Sequence, residues 1–176
     1  MEFIPLRVAG AFLIEPTKFE DDRGFFARTW CAREAEDRGM AVRVAQCSTS
    51  FNERRGTLRG MHYQLPPYEE AKLVRCTAGT IYDVILDLRT GSATFGQWFG
   101  VELSAANRLL LYVPEGFAHG FQTLADNTEV FYQMSEFYAP EYAQGVRWND
   151  PAFGIQWPDH ERTIIERDQQ YADFRP

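Results

Sequence analysis

Histidine and cysteine are scarce in this chain, three of each in 176 residues. Cys31, Cys47 and Cys76 are odd in number and widely spaced with no Cys-x-x-Cys pair, so neither a disulfide framework nor a zinc site is indicated, and the thiols are read as reduced. Basic charge is also short: 18 Lys and Arg stand against 25 Asp and Glu, a formal net charge of -7. That balance argues against a nucleic-acid partner, although local Arg and Lys can still bind a small anion. No apolar run approaches membrane-spanning length, and residues 1–6 lack the basic and apolar regions of a secretion signal, so a cytoplasmic protein with no membrane partner is expected. A Gly-rich phosphate loop and a Gly-x-Ser-x-Gly elbow are both missing, which leaves P-loop, Rossmann and serine-hydrolase readings with little support. Repeats and low-complexity linkers are missing too, so residues 1–176 are read as one domain with a sizeable core.

What the chain does hold is aromatic residues, 15% of the total, with 13 Gly and 9 Pro spread throughout. That mixture suits many short strands joined by turns. Strands are expected at residues 8–14, 25–30, 42–51, 56–64, 71–77, 80–88, 97–103, 109–113, 120–124 and 128–136, which is the spacing of a sandwich or barrel. One short helix is expected at residues 31–40, ended by Gly39. Beyond Tyr138 the texture turns polar and turn-rich, around Asn149-Asp150-Pro151 and Trp157-Pro158-Asp159. In residues 80–88, Ile81, Asp83, Ile85 and Asp87 share one face, a mixed face of the kind that lines a cavity.

The stretch Gly56-Thr57-Leu58-Arg59-Gly60-Met61-His62-Tyr63-Gln64 carries a cation and a proton-transfer residue in one strand. Strict alternation would point Arg59 and His62 to opposite faces. A bulge at Gly60 would bring them together. His119 is a second candidate; His160, in an apparent loop, is given no role. A metal cupin would use a His-x-His pair where this chain has His62-Tyr63-Gln64, and Gln replaces an imidazole ligand poorly, so no metal is expected. Without metal, His62 reads as an acid–base group oriented by a carboxylate, with Asp83, Asp87 and Asp168 all candidates by residue type. Tyr132 could deliver a proton from the opposite side, and Lys72 or Arg23 could stabilise an enolate oxygen or pair with phosphate.

Several words taken in order resemble one family, the nucleotide-sugar 3,5-epimerases typified by dTDP-4-dehydrorhamnose 3,5-epimerase. They are Asp22-Arg23-Gly24-Phe25-Phe26, the central Gly56 to Gln64 stretch, Lys72-Leu73-Val74-Arg75-Cys76, Asp83-Val84, the run from Pro114 to Phe121, Tyr132 and Trp148-Asn149-Asp150-Pro151. The resemblance implies a mostly β, cupin-type jelly-roll barrel with a few short helices, working as a homodimer with sites shared across subunits and with no cofactor. It implies a nucleotide-linked 4-keto-6-deoxy sugar as substrate, His62 as base, Tyr132 as opposing acid, Asp168 as the carboxylate of the base and Lys72 beside the 4-oxygen. Arg59 would hold sugar or phosphate, and Arg23, Phe26, Gln46, Ser48, His119 and Tyr138 fall at substrate-contact positions, with Asp83 supporting His119.

Two departures stand out. Arg28 occupies the position of a common Glu after Phe25-Phe26, and Ser48 that of a common Asn. Both fall at ligand contacts, so they bear on the nucleotide and the sugar rather than on the proton-transfer groups. The leading expectation is epimerisation at C3 and/or C5. Competing readings are a 3-only epimerase or a 3,4-ketoisomerase on a dTDP-, GDP- or CDP-linked keto sugar, and a non-catalytic sugar-nucleotide-binding cupin.

Overall fold

The computed structural model describes residues 1–158 and 161–175, so His160 and Asp159 of the expected turn lie outside the described residues. Its strands run, in chain order, β1 (Glu2–Pro5), β2 (Phe12–Glu15), β3 (Lys18–Asp21), β4 (Gly24–Ala27), β5 (Gln46–Asn52), β6 (Thr57–Gln64), β7 (Lys72–Ala78), β8 (Thr80–Asp87), β9 (Trp98–Ser104), β10 (Leu110–Val113), β11 (Phe117–Thr123), β12 (Thr128–Met134), β13 (Ala143–Gly145) and β14 (Thr163–Ile164). Two short helices are α1 (Ala32–Glu36) and α2 (Glu166–Gln169). One sheet has the order β1-β2-β10-β7-β12-β5 and the other β13-β6-β11-β8-β9, with β14 added beside β6; β3 and β4 form a separate hairpin. Two facing sheets, antiparallel apart from β14 and with non-sequential neighbours, make the expected jelly roll.

Period-two alternation places the core. On β8, Ile81 and Ile85 face inward with Val74, Cys76, Phe121 and Val130 between the sheets. Val84 and Leu86 face outward, into a second layer with Leu58, Met61, Ala118, Val146 and Trp157. The second sheet is therefore buried on both faces, its outer face covered by the C-terminal third of the chain. The third layer, Ile14, Ala35, Met40, Leu73 and Leu110, seats α1 on the first sheet. Each such fully buried aliphatic side chain contributes about 1.5–3 kcal/mol.

Several expected boundaries shift. Residues 8–14 do not form one strand: Leu6 N–H bonds to Ala11 C=O around Gly10 (φ +85°), and pairing begins at Phe12. The strand expected at 25–30 stops at Ala27, because its partner β3 begins at Lys18, opposite it. The run 42–45 is not strand because β12, its pairing partner, ends at Met134 opposite Gln46. The helix is only Ala32–Glu36, with Gly39 at φ +68° in the turn beyond. The tail, read as turns, contributes β13, β14 and α2. The Asp83 face is mainly inter-sheet core rather than cavity wall, since Ile81 and Ile85 are fully buried in it. Among the described residues no helix is long and apolar enough to cross a membrane.

Candidate active site

Between the two sheets lies a cavity of about 500 Å³ whose wall includes Arg59, His62, Lys72, His119, Tyr132 and Tyr138, together with Ser48. Arg59 and His62 share it because β6 carries one extra residue against β11: His119 pairs with His62 and Phe121 with Arg59, so Gly60 and Met61 stand opposite Gly120 alone. Gly60 is the residue that permits this. It has φ +131°, and a Cβ there would sit 2.5 Å from the Gly120 Cα. Leu58 and Met61 turn to the outer core as Arg59 and His62 turn inward.

His62 meets Asp168. The Nε2–Oδ1 distance is 2.8 Å, the Gly60 N–H donates to Oδ2 at 3.1 Å, and Asp168 is 1% exposed. Burial pushes the Asp168 carboxyl up, but the His62 hydrogen bond and charge, the Gly60 N–H and Arg167 outweigh it and hold it below the ordinary value. An ionised carboxylate only accepts, so Nε2 carries the proton and Nδ1 the lone pair of the neutral ring. The tail reaches this point because β14 pairs in parallel with the first half of β6, Thr163 with Thr57 and Ile164 with Leu58, and α2 follows at once.

Of the three carboxylates open to sequence reasoning, only Asp168 meets His62. Asp83, fully buried, meets His119 instead, Oδ1 to Nε2 at 2.7 Å, one step diagonally across the β8–β11 ladder. Asp87 is committed to Arg89, Ser92 and Thr94, which bring its carboxyl down to about 2 despite burial.

Tyr132 comes from the opposite sheet. Its ring stands edge-on to His119 with centroids 6.0 Å apart. Burial, and then the Asp83 charge, push its hydroxyl well above the ordinary tyrosine range, against Arg59 and a hydrogen bond with Ser50. It therefore holds its proton throughout the neutral range, the state from which an acid must start. Lys72 is 8% exposed, with Nζ 3.0 Å from Glu70 Oε1 and 3.5 Å from the His62 carbonyl. Arg59 is held by Asn52, Nε donating to Oδ1 at 2.8 Å.

Not every expected contact reaches the cavity. Gln46 stands beside it and accepts the Tyr138 N–H at 2.6 Å. Arg23 and Phe26 lie on the β3–β4 hairpin, where Phe26 is 71% exposed and Arg23 pairs with Asp21. Neither lines the cavity of its own chain. Arg28 approaches Glu34 at 3.5 Å on the surface.

The sequence reading gave no role to Glu70, Asn52, Arg167 or Tyr171, whose ring stands edge-on to His62 at 6.4 Å, and weighed Gln64 only as a poor metal ligand. Arg167 Nε donates to Asp168 Oδ1 at 3.3 Å, and its second terminal nitrogen lies 3.3 Å from His62 Nε2, two donors gathered around one carboxylate. Its adjacency to Asp168 was the available signal. Among the described residues no group of three His, Cys, Asp or Glu is arranged to hold a metal ion. Gln64, at the place of a cupin ligand, uses its amide elsewhere, on Tyr68, Phe137 and Ala139. The three cysteines are free.

A family model described as dTDP-4-dehydrorhamnose 3,5-epimerase matches residues 5–175. A protein of that name from Shigella flexneri is 40% identical over 177 residues, which span 98% of this chain and 97% of the relative. The crystal structure of dTDP-4-dehydrorhamnose 3,5-epimerase from Elizabethkingia anophelis aligns with a TM-score of 0.95 at 38% identity, over 99% of this chain and 96% of that one. That of the Legionella pneumophila dTDP-6-deoxy-D-glucose-3,5-epimerase, in complex with dTDP-4-keto-L-rhamnose, aligns with a TM-score of 0.88 at 36% identity, over 95% and 89% of the two chains.

Proposed function

The chain belongs to the dTDP-4-dehydrorhamnose 3,5-epimerase family, and we propose that it inverts C3 and C5 of a nucleotide-linked 4-keto-6-deoxyhexose, converting dTDP-4-dehydro-6-deoxyglucose to dTDP-4-dehydrorhamnose. The observation that carries this reading is a base and an acid on opposite walls of one cavity, His62 on β6 and Tyr132 on β12, with the Lys72 cation in the same space. Inverting a carbon requires a proton to leave one face and another to arrive on the opposite face.

The 4-keto group makes the hydrogens on C3 and C5 acidic. His62 takes one through Nδ1, and the bonding pair moves into the ring to form an enolate whose oxygen Lys72 stabilises. Tyr132 then gives its proton to the other face, the carbonyl re-forms, and the centre is inverted. The step leaves an imidazolium and a tyrosinate, which exchange with solvent before the second centre reacts. Asp168 keeps the base nitrogen toward the substrate and stabilises the imidazolium.

A homodimer completes the proposal. Arg23 and Phe26, exposed on the hairpin and away from their own cavity, suit insertion into the site of a second copy, where they would contact the nucleotide. The product would feed deoxysugar or surface-polysaccharide synthesis in the cytoplasm.

The test is proton NMR of the protein with dTDP-4-keto-6-deoxyglucose in deuterium oxide. Loss of both the C3 and the C5 signals with appearance of the rhamno product is expected. Exchange at neither centre would overturn the reading, loss at C3 alone would reduce it to a 3-epimerase, and migration of the carbonyl would make it a ketoisomerase.

A further inference from the structure

We propose that Gln64 is a positioning residue for Tyr138, fixing residues 137–139 as a strap across the cavity mouth and so setting the ring that meets the substrate. Gln64 ends β6, in the sheet that carries His62, and is 3% exposed. Its Oε1 accepts the Ala139 N–H at 2.6 Å, and its Nε2 donates to Phe137 C=O at 3.1 Å and Tyr68 C=O at 2.7 Å. From the other sheet, Gln46 at the start of β5 accepts the Tyr138 N–H at 2.6 Å. Three consecutive residues are thus tied to both sheets, with Tyr138 between the two attachments.

Besides these, the Phe137 N–H donates to Glu136 Oε1 at 2.8 Å and the Ala139 C=O accepts the Tyr142 N–H at 2.9 Å, neither of which ties Tyr138 to the sheet that carries His62. Phe137 and Tyr138 are 52% and 57% exposed, so apolar burial contributes only part of its order, and the side-chain hydrogen bonds carry the rest. Phe137 rests against Arg43 at 5.3 Å, an exposed cation–π contact of modest strength. Released from Gln64, the strap would leave Tyr138 mobile, and the substrate would have to order it on binding. The loss would fall on affinity, because the proton-transfer groups His62, Tyr132 and Lys72 take no hydrogen bond from Gln64. A cupin using this position for a metal ligand could not also hold the strap in this way.

The inference rests on Tyr138 being a substrate contact, and the test separates the two ideas. It compares wild type, Gln64→Leu, Gln64→Glu, Tyr138→Ala and the Gln64→Leu/Tyr138→Ala double variant. Gln64→Glu retains the acceptor for Ala139 and loses the donors. Amide hydrogen exchange at Ala139 reads the strap, and the C3 exchange assay gives KM and kcat. Gln64→Leu is expected to speed Ala139 exchange and raise KM about tenfold, with kcat within about threefold of wild type. Gln64→Glu, which sets a carboxylate oxygen against the Tyr68 and Phe137 carbonyls, should loosen the strap at least as much as Gln64→Leu. In the Tyr138→Ala background, Gln64→Leu should add nothing further to KM. Unchanged Ala139 exchange, or KM effects that multiply in the double variant, would overturn the proposal. Faster exchange with Tyr138→Ala kinetically silent would support the strap and refute Tyr138 as a substrate contact.

Discussion

Replacing Asp168 with Asn removes one charge from the centre of the site while keeping its shape, and the hydrogen bonds around it dictate the outcome. Asp168 Oδ2 accepts the Gly60 N–H at 3.1 Å and Oδ1 meets His62 Nε2 at 2.8 Å. With its oxygen kept on the Gly60 N–H, an Asn amide turns its NH2 toward both His62 Nε2 and the Arg167 Nε–H, so Arg167 has to shift to avoid a donor facing a donor. Its NH2 then points at Nε2 and selects the tautomer protonated at Nδ1, the nitrogen needed as base. Proton abstraction should fall by about 10²–10⁴-fold, measured as C3 exchange in deuterium oxide. Replacing the charge-assisted bonds with neutral ones should cost about 1–2 kcal/mol at neutral pH, read by urea unfolding.

The pH dependence of that difference comes from the lowered Asp168 value. A carboxyl held below its unfolded value contributes stability that is full above 3.8 and is lost as pH falls below it toward the folded value. The stability gap between wild type and Asp168→Asn should therefore be full at a pH of about 5 and shrink as pH falls below about 4. Exchange within about threefold of wild type, or a stability gap unchanged at a pH of about 2.5, would refute the reasoning.

The other predictions are as direct. Tyr132→Phe removes the acid while the ring remains, and should lower inversion about a hundredfold while His62-driven hydrogen exchange at C3 falls less; equal loss of exchange and inversion would count against Tyr132 as the acid. Gly60→Ala places a Cβ 2.5 Å from the Gly120 Cα at φ +131°, where only backbone could yield. It should cost about 2–5 kcal/mol in urea unfolding, and a loss under about 1 kcal/mol would show that the bulge tolerates a side chain. Glu70→Leu leaves the Lys72 ammonium buried without its partner and should cost about 3–5 kcal/mol, most of it regained in Glu70→Leu/Lys72→Met. A double variant no more stable than Glu70→Leu would mean that the pair does not act as a unit.

Whatever depends on neighbours along the chain was legible in the amino-acid sequence. The alternation of β8 into Ile81 and Ile85 against Val84 and Leu86, and a kink at Gly60 bringing Arg59 and His62 to one face, come from a period of two and from one residue without a Cβ. The proton-transfer groups were legible as types, and the ordered words identified the family. Boundaries failed at residues 42–45 and at the tail, because a strand lasts only as long as its partner and the partner is remote in sequence.

Which carboxylate serves which histidine was settled by the fold alone. Asp83, Asp87 and Asp168 are equivalent by residue type, yet the diagonal across β8 and β11 gives Asp83 to His119, a local cluster takes Asp87, and the β14–β6 pairing brings Asp168 across 106 positions to His62. Glu70, Gln64 and Arg167 gained their places in the same way, as ordinary polar residues whose partners are set by docking. Side-chain direction is encoded locally by backbone period, whereas the meeting of two distant side chains depends on how whole strands pair, and no local pattern carries that information.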